Sequence, residues 1–203
     1  MTYVTSYNIQ KNEGKVKSQL LWFCDIKIGM GNNKRNETIN ALTKESIALA
    51  YYELLKNTKA ISVTMICEKA GVSRNAYYRN FNSTDDIIIY CLILKWSQYC
   101  EKKPVPPEDG NILKQRLIEF FYDEKTFIQA IKAHDKLYLI EELFRKVIIP
   151  TEDIGIAKYL LYIVAYSVYG LIRAMIDNDF RESPEQLLAI EEYFKDKTSL
   201  PYD

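Results

Sequence analysis

ISVTMICEKAGVSRNAYYRNF, residues 61–81 of this 203-residue chain, is the stretch that decides the fold class. Ser62 can accept a hydrogen bond from a free backbone N–H of a first helical turn, and apolar residues follow it at helical spacing. Gly71 comes after the last of them, where helices commonly end in a left-handed conformation that glycine adopts without strain. Ser73 can cap a second helix, which we predict from Arg74 to Phe81. The stretch therefore predicts two short helices joined by a tight turn.

The second helix has residues that suit contact with DNA. Two short helices with such a turn form the helix-turn-helix arrangement, whose second helix enters the major groove. Arg74 lies in the first turn, where side chains reach base edges, and Arg79 is placed to meet phosphate. Tyr77 and Tyr78 have aromatic bodies that can pack below the helix and hydroxyl tips that can bond phosphate oxygens. Ala76 is small enough to let the backbone approach and to contact a thymine methyl. On the pattern alone, an ordinary helical hairpin buried in an all-α protein is the favoured interpretation.

The same residues resemble the DNA-binding signature of the TetR family of transcriptional regulators, and this resemblance favours the DNA-binding interpretation. The matching string is Ser62-Val63-x-x-Ile66-Cys67-x-x-Ala70-Gly71-Val72-Ser73-Arg74-x-x-Tyr77-Tyr78-Arg79-x-Phe81. The resemblance implies an all-α protein with a three-helix DNA-binding head over residues 30–84. A larger helical ligand-binding and dimerisation domain is then expected over residues 85–203.

The resemblance also implies which side chains contact DNA. The candidates are Lys44, Ser62, Thr64, Ser73, Arg74, Asn75, Ala76, Tyr77, Tyr78, Arg79 and Asn80. Three positions depart from the family pattern. Asn75 stands where the family often has glycine or another small residue, which affects how closely the second helix sits in the groove. Asn80 stands where histidine is common and Thr84 where lysine is common, and both changes weaken phosphate contacts.

Charge is unevenly distributed along the chain, although the formal net charge is zero. Residues 34–84 carry eight Lys/Arg and four Glu, whereas residues 85–203 carry fifteen basic and twenty-one acidic groups. A basic head on an acidic body fits a DNA-contacting head, since attraction to phosphates depends on local charge. A hydrophobic content of 48% with 27% charged residues is ordinary for a soluble globular protein, and we expect a cytoplasmic location.

The first 29 residues differ in pattern from the rest of the chain. They include an apolar patch, Leu20 to Phe23, that is too short to span a membrane and precedes no cleavage-like site. From Met30 onward the chain resembles the usual beginning of a TetR family member, with a short polar, basic arm before the first helix. We expect Met30 to be the natural start and residues 1–29 to be an extension outside the fold. The alternative is that this extension packs on the body.

Helical patterning continues through the rest of the chain. Thr43 is the expected cap of the first helix. Ser83, followed by Asp85 and Asp86, is typical of the start of a helix, which we expect to run to about Lys102. Further helices are predicted over residues 109–122, 124–133, 135–148, 152–180 and 184–197.

The helix over residues 154–180 is apolar on every face and carries a stripe of tyrosines at helical spacing. Such a helix is either buried on all sides or lies in a membrane. Only 14 uncharged residues separate Lys158 from Arg173, short of the ~20 that a span needs, so we expect no membrane contact. We expect one side to face the core and the other side a second subunit, which makes the protein a homodimer. The interface candidates are Gly170, Leu187, Ile190 and Phe194.

Catalytic chemistry has little support in the sequence. His134 is the only histidine, so a catalytic arrangement of a nucleophile with a histidine base could use that residue alone. The four cysteines, Cys24, Cys67, Cys91 and Cys100, show neither a C-x-x-C pair nor metal-ligand spacing. We expect reduced cysteines that serve as small apolar residues, no enzymatic activity, no metal and no cofactor.

The favoured function is a ligand-responsive regulator that binds a pseudo-palindromic double-stranded DNA operator, as a repressor released by a small apolar or aromatic effector. The effector-contact candidates are Trp96, Phe120, Tyr138, Tyr162, Tyr166 and Arg173. Arg173 needs a partner because it is a charge on a largely apolar helix, and a salt bridge is the competing explanation for it. The rival function keeps this fold without operator binding and acts as a ligand-sensing coactivator or protein-interaction module.

Overall fold

A computed structural model describes residues 34–103, 110–148 and 155–197. These residues form helices joined by short turns, and no strand occurs among them, which confirms the all-α class. The helices are α1 (Lys34–Asn57), α2 (Val63–Ala70), α3 (Arg74–Asn80), α4 (Thr84–Lys102), α5 (Gly110–Asp123), α6 (Lys125–Ala133), α7 (Tyr138–Ile148), α8 (Ala157–Asp177) and α9 (Pro184–Lys197). The expected extension, residues 1–29, lies outside the described residues.

The described chain divides into two compact units. The amino-terminal unit contains residues 34–103 and 126–147, and the carboxy-terminal unit contains residues 110–125, 148 and 155–197. In the amino-terminal unit, α1 packs against α2, α3 and α4. The helix after the predicted head therefore belongs to the same compact unit as the head.

Helix α1 begins nine residues earlier than the cap predicted at Thr43, so that prediction is wrong. The Thr43 hydroxyl instead donates a hydrogen bond to the carbonyl of Ile39 one turn earlier, at 2.7 Å. A threonine hydroxyl can satisfy itself inside a helix in this way, and the residues before it include no helix breaker. Further along, Ile47, Tyr51 and Leu55 follow helical spacing and are buried in the core of the unit.

Helix α4 starts as predicted. The Ser83 side chain accepts a hydrogen bond from the backbone N–H of Asp86, and the Asp86 carboxylate accepts the backbone N–H of Ser83. This reciprocal pair satisfies two donors that the helix end would otherwise leave without partners. The buried residues of α4 include Ile87 and Leu92.

In the carboxy-terminal unit, α5 packs against both α8 and α9. Helix α8 buries one face of its length, formed by Leu161, Ala165, Val168, Ile172 and Met175. Its opposite face is apolar and exposed. By length and composition alone, Lys158–Asp177 is also apolar enough to cross a membrane, with a mean hydropathy of 1.5.

Candidate nucleic-acid interface

The turn between α2 and α3 has the local geometry that its residues predict. Ser62 Oγ accepts a hydrogen bond from the backbone N–H of Met65 at 3.2 Å, and Ser73 Oγ accepts from that of Ala76 at 3.1 Å. Gly71 is left-handed, with φ 67° and ψ 31°. Each helix end is thus satisfied by a residue beside it, which sets where the short helices start and stop.

Tyr77 is the residue that attaches α3 to the rest of the unit. Its side chain is 1% exposed, and its ring lies 6.4 Å from that of Phe81, which is also buried. Burial raises the pKa of Tyr77 to about 12. Its hydroxyl is buried without a hydrogen-bond partner among the described residues. The predicted phosphate contact at Tyr77 is therefore wrong, because positions 77 and 81 lie on the helix face that points into the core.

The opposite face of α3 is exposed and basic. Arg74, Asn75, Tyr78 and Arg79 are all exposed, with Tyr78 at 59%. The Arg74 guanidinium donates a hydrogen bond from Nη2 to Thr64 Oγ1 on α2, at 2.6 Å. This bond crosses the turn, so α2 helps to orient the arginine that leads the second helix.

Two other candidates on α3 bond to their own helix. Arg79 Nε donates to the carbonyl of Asn75 at 3.3 Å, and Asn80 Nδ2 donates to that of Ala76 at 2.8 Å. Asn80 is half-buried, and its amide N–H is used within its own helix. Nε carries only one of the five N–H groups of the Arg79 guanidinium, so the others are potential donors to phosphate.

The remaining candidates lie around the turn. Lys44 is partly exposed on α1, and Ala76 is half-buried on α3. The Ser62 and Ser73 hydroxyls accept backbone N–H groups as caps, and each can still donate its own proton to a phosphate. Thr84, one of the three departures from the family pattern, is the first residue of α4.

Tyr138, an effector-contact candidate, takes part in a hydrogen-bond network with Asp85 and Lys136. Its hydroxyl donates to Asp85 Oδ2 at 2.6 Å, and Lys136 Nζ donates to Asp85 Oδ1 at 2.8 Å. Burial opposes ionisation of Asp85, but these two hydrogen bonds outweigh it and hold the pKa of the carboxyl below its usual value. The network ties the start of α7 to the start of α4. Sequence reasoning missed it because the partners are 51 and 53 residues apart.

The other effector candidates are either in a core or at the surface. Trp96 is buried and stacked on Tyr99 within the amino-terminal unit, and Phe120 is buried within the carboxy-terminal unit. Tyr162 and Tyr166 are exposed and stacked, with ring centroids 6.1 Å apart. Arg173 pairs with Asp177 at 2.9 Å within α8, so the salt-bridge explanation for this charge is confirmed.

The dimer-interface candidates also separate into two groups. Ile190 and Gly170 are exposed, and a Cβ added at Gly170 would meet nothing within 4 Å. Leu187 is only 5% exposed and packs inside its own unit, so its predicted place at an interface is wrong. The side chain of Phe194 lies outside the described residues. The exposed apolar face of α8, which includes Tyr159, adds residues that were not among the candidates.

The single histidine has a structural contact. His134 Nε2 lies 3.0 Å from the carbonyl of Leu55, near the end of α1. Within the ranges that the structure describes, no group of three or more His, Cys, Asp and Glu side chains is arranged to hold a metal. The histidine therefore joins the end of α6 to α1.

A cleft between α1 and α4 was not predicted from the sequence. It has a volume of about 410 Å³ and is lined mainly by apolar atoms, including those of Leu42, Leu49 and Leu94. Its signal in the sequence was the seven-residue spacing of Leu42 and Leu49, which puts both on one face of a helix. The same spacing is typical of a helix face buried in a core, so only the structure shows that Leu42 and Leu49 are exposed.

No model of a known protein family matches the chain, and no curated protein matches it.

Proposed function

We propose that this chain is a DNA-binding transcriptional regulator of the TetR type. In this proposal, α1, α2 and α3 form a helix-turn-helix head, and α3 enters the major groove of a double-stranded operator. The observation that carries it is the division of α3 into two faces. Tyr77 and Phe81 anchor one face in the core, while Arg74, Tyr78 and Arg79 stand exposed on the other.

Each exposed residue has a defined chemical role in the proposal. Arg74 reads a base edge, because its guanidinium can make two parallel hydrogen bonds to guanine. Tyr78, Arg79 and Lys44 contact phosphates and so contribute affinity without selecting a sequence. Thr64 positions Arg74 through the hydrogen bond between the two side chains.

The protein acts as a cytoplasmic homodimer in this proposal, with the exposed apolar face of α8 as the contact between copies. Tyr159 and Ile163 are 72% and 63% exposed, which is unusual for large apolar side chains repeated along one helix. A twofold dimer presents two α3 helices, so the operator is a pseudo-palindrome with half-sites one helical turn apart. A small apolar or aromatic effector releases the dimer from the operator, which makes the protein a repressor.

One observation favours a second function, in which the same fold binds another protein and no operator. Asn80 bonds inward to the carbonyl of Ala76, and Asn80 and Thr84 stand where family members often carry phosphate-binding side chains. A head with fewer phosphate contacts has less of the sequence-independent affinity on which operator binding depends. The exposed basic pair Arg74 and Arg79 argues for DNA as the partner.

Selection of bound duplexes from a random-sequence library tests the proposal. The purified full chain is expected to enrich a pseudo-palindrome, and a spacer changed by about half a helical turn, ~5 base pairs, should abolish most of the binding. Enrichment of no sequence, with weak binding that is equal on all duplexes, would favour the protein-interaction function instead. Salt concentration is held constant, because affinity for phosphates falls steeply with salt.

A further inference from the structure

The cleft between α1 and α4 is a surface that the proposed DNA interface leaves unused. Leu42 and Leu49 line it and are 58% and 64% exposed. Ile39, one turn before Leu42 on α1, is 55% exposed. Three exposed aliphatic side chains on one stripe of a helix, beside a cleft, mark a surface that another apolar group covers.

We propose that the chain's own segment Leu20–Ile28, LLWFCDIKI, docks in this cleft. The segment lies outside the described residues and contains the apolar patch singled out in the sequence. Of the two alternatives for residues 1–29, an extension outside the fold or one that packs on the body, the exposed cleft favours the second. Docking would cover Leu42 and Leu49 and place the side chains of the patch against apolar walls.

The connection between segment and cleft is long enough. Helix α1 begins at Lys34, and Leu42 lies eight residues later, which is about 12 Å along the helix axis. Residues 29–33 separate the segment from Lys34, and five residues can span up to about 17 Å. Ile28 can therefore lie beside Leu42, with the rest of the segment continuing along the cleft.

The charges occur in a complementary order. Glu45 lines the cleft close to Leu42. Tyr52 lies about 10 Å further along α1 than Glu45, and Lys95 Nζ is 5.1 Å from the centroid of the Tyr52 ring. A segment that enters beside Leu42 brings Lys27 near Glu45 first and Asp25 nearer to Lys95 second. Each charge of the segment then meets the opposite charge on the cleft.

The tether favours this occupant over the alternatives. A segment joined to α1 by five residues has an effective concentration of the order of mM at the cleft, so modest contacts are enough to keep it docked. A second copy of the chain or a small apolar molecule would need higher affinity to compete with it. Disulfide trapping distinguishes a tethered segment from a second copy.

Disulfide trapping in the full chain tests the proposal, because Cys24 is the segment's own cysteine. Gln98, which is exposed and lines the cleft, is changed to cysteine in a Cys100→Ser background. Cys91 also lines the cleft, but burial raises the pKa of its thiol to about 12, so it stays protonated and unreactive. The control places the cysteine at Lys69, an exposed residue on α2.

Under mild oxidation, we expect the intramolecular disulfide from Cys24 to Gln98→Cys to form at least about tenfold faster than the one to Lys69→Cys, because docking raises the local thiol concentration. Adding Leu49→Lys should remove this difference, whereas Leu49→Met should keep it. Equal rates at the two positions, or no effect of Leu49→Lys, would overturn the proposal. A disulfide formed only between two copies would assign the cleft to a second chain and overturn it as well.

Removal of residues 1–29 provides a second readout. We expect this truncation to lower Tm by about 4 °C, since the apolar walls of the cleft lose their cover. In the Leu49→Lys background the same truncation should change Tm by less than about 1 °C. An unchanged Tm on truncation of the otherwise natural chain would contradict docking.

Discussion

The α2–turn–α3 region and α8 are both helical, but different kinds of residue specify them. Helices α2 and α3 have eight and seven residues, too short to persist in isolation, and each starts at a serine cap. Helix α8 has 21 residues, and its first turn has no side-chain cap. Short helices thus depend on end signals and one buried anchor, whereas a long helix persists through its length.

The two regions also differ in how their surfaces are divided. Helix α3 has a core face and a polar, exposed face, so its sequence indicates which side meets the protein. Helix α8 is apolar on both sides, so its sequence does not indicate which side is internal. The charged residues Arg74 and Arg79 therefore mark the exposed side of α3, but only tertiary structure shows which of Tyr77 and Tyr78 is buried and which side of α8 is internal.

The largest expected effect comes from removing the anchor of α3. Tyr77→Ala should lower the free energy of unfolding by about 3–5 kcal/mol, because it empties the volume of a buried aromatic ring. Tyr77→Phe keeps the ring and removes a buried hydroxyl without a partner, so it should leave stability within ~1 kcal/mol or raise it. Chemical denaturation measures both. A large loss for Tyr77→Phe would mean that the hydroxyl makes an important hydrogen bond.

A charge on the exposed face of α8 should affect association instead of folding. Ile163→Lys is expected to weaken the proposed dimer by about 2 kcal/mol, roughly 30-fold in Kd, because it buries a lysine at the centre of an apolar interface. Sedimentation equilibrium measures this shift. Gln129→Lys adds the same charge at an exposed position on α6 and should leave association unchanged. A natural chain that is monomeric at micromolar concentration would contradict the dimer.

The same glycine-to-alanine change should have opposite signs in the two regions. At Gly71, where φ is 67°, alanine should lower stability by about 1 kcal/mol through backbone strain. A steric clash adds nothing to this loss, because the added Cβ meets nothing within 4 Å. At Gly170, inside α8, alanine should raise stability by up to ~1 kcal/mol through helix propensity. Thermal unfolding of the two variants compares them directly. Losses of equal size at both positions would remove the distinction.

The smallest effects concern ion pairs. Lys136→Met breaks an ion pair that joins the turn before α7 to α4 and should cost about 1 kcal/mol, whereas Arg173→Met breaks a pair within α8 and should cost about 0.3–0.5 kcal/mol. The lowered pKa of Asp85 adds a pH signature. Its contribution is present above the unfolded pKa near 3.8 and is lost as pH falls through the lower folded pKa. Urea titrations between pH 6 and pH 2 should show this loss in the natural chain and not in Asp85→Asn.

The sequence predicted the helical class and most helix bounds because caps, glycine and apolar spacing are local signals. It did not decide which of the adjacent tyrosines 77 and 78 packs below the helix, since the two look alike until the core is known. Thr43 was misplaced because a threonine can cap a helix or bond inside one. The Asp85 network and the cleft between α1 and α4 both join residues from distant parts of the chain, so no local pattern contains them.

The central claim is that Arg74 on α3 reads a base, and competition binding on single-base variants of the selected operator tests it most directly. Arg74→Ala should cost about 1–3 kcal/mol on the cognate duplex and relax preference at one base position. Arg79→Ala is the matched control, because it should weaken binding to all sequences alike and reduce the salt slope by about one unit. Unchanged affinity and unchanged base preference in Arg74→Ala, on an operator that the natural protein binds specifically, would contradict the account.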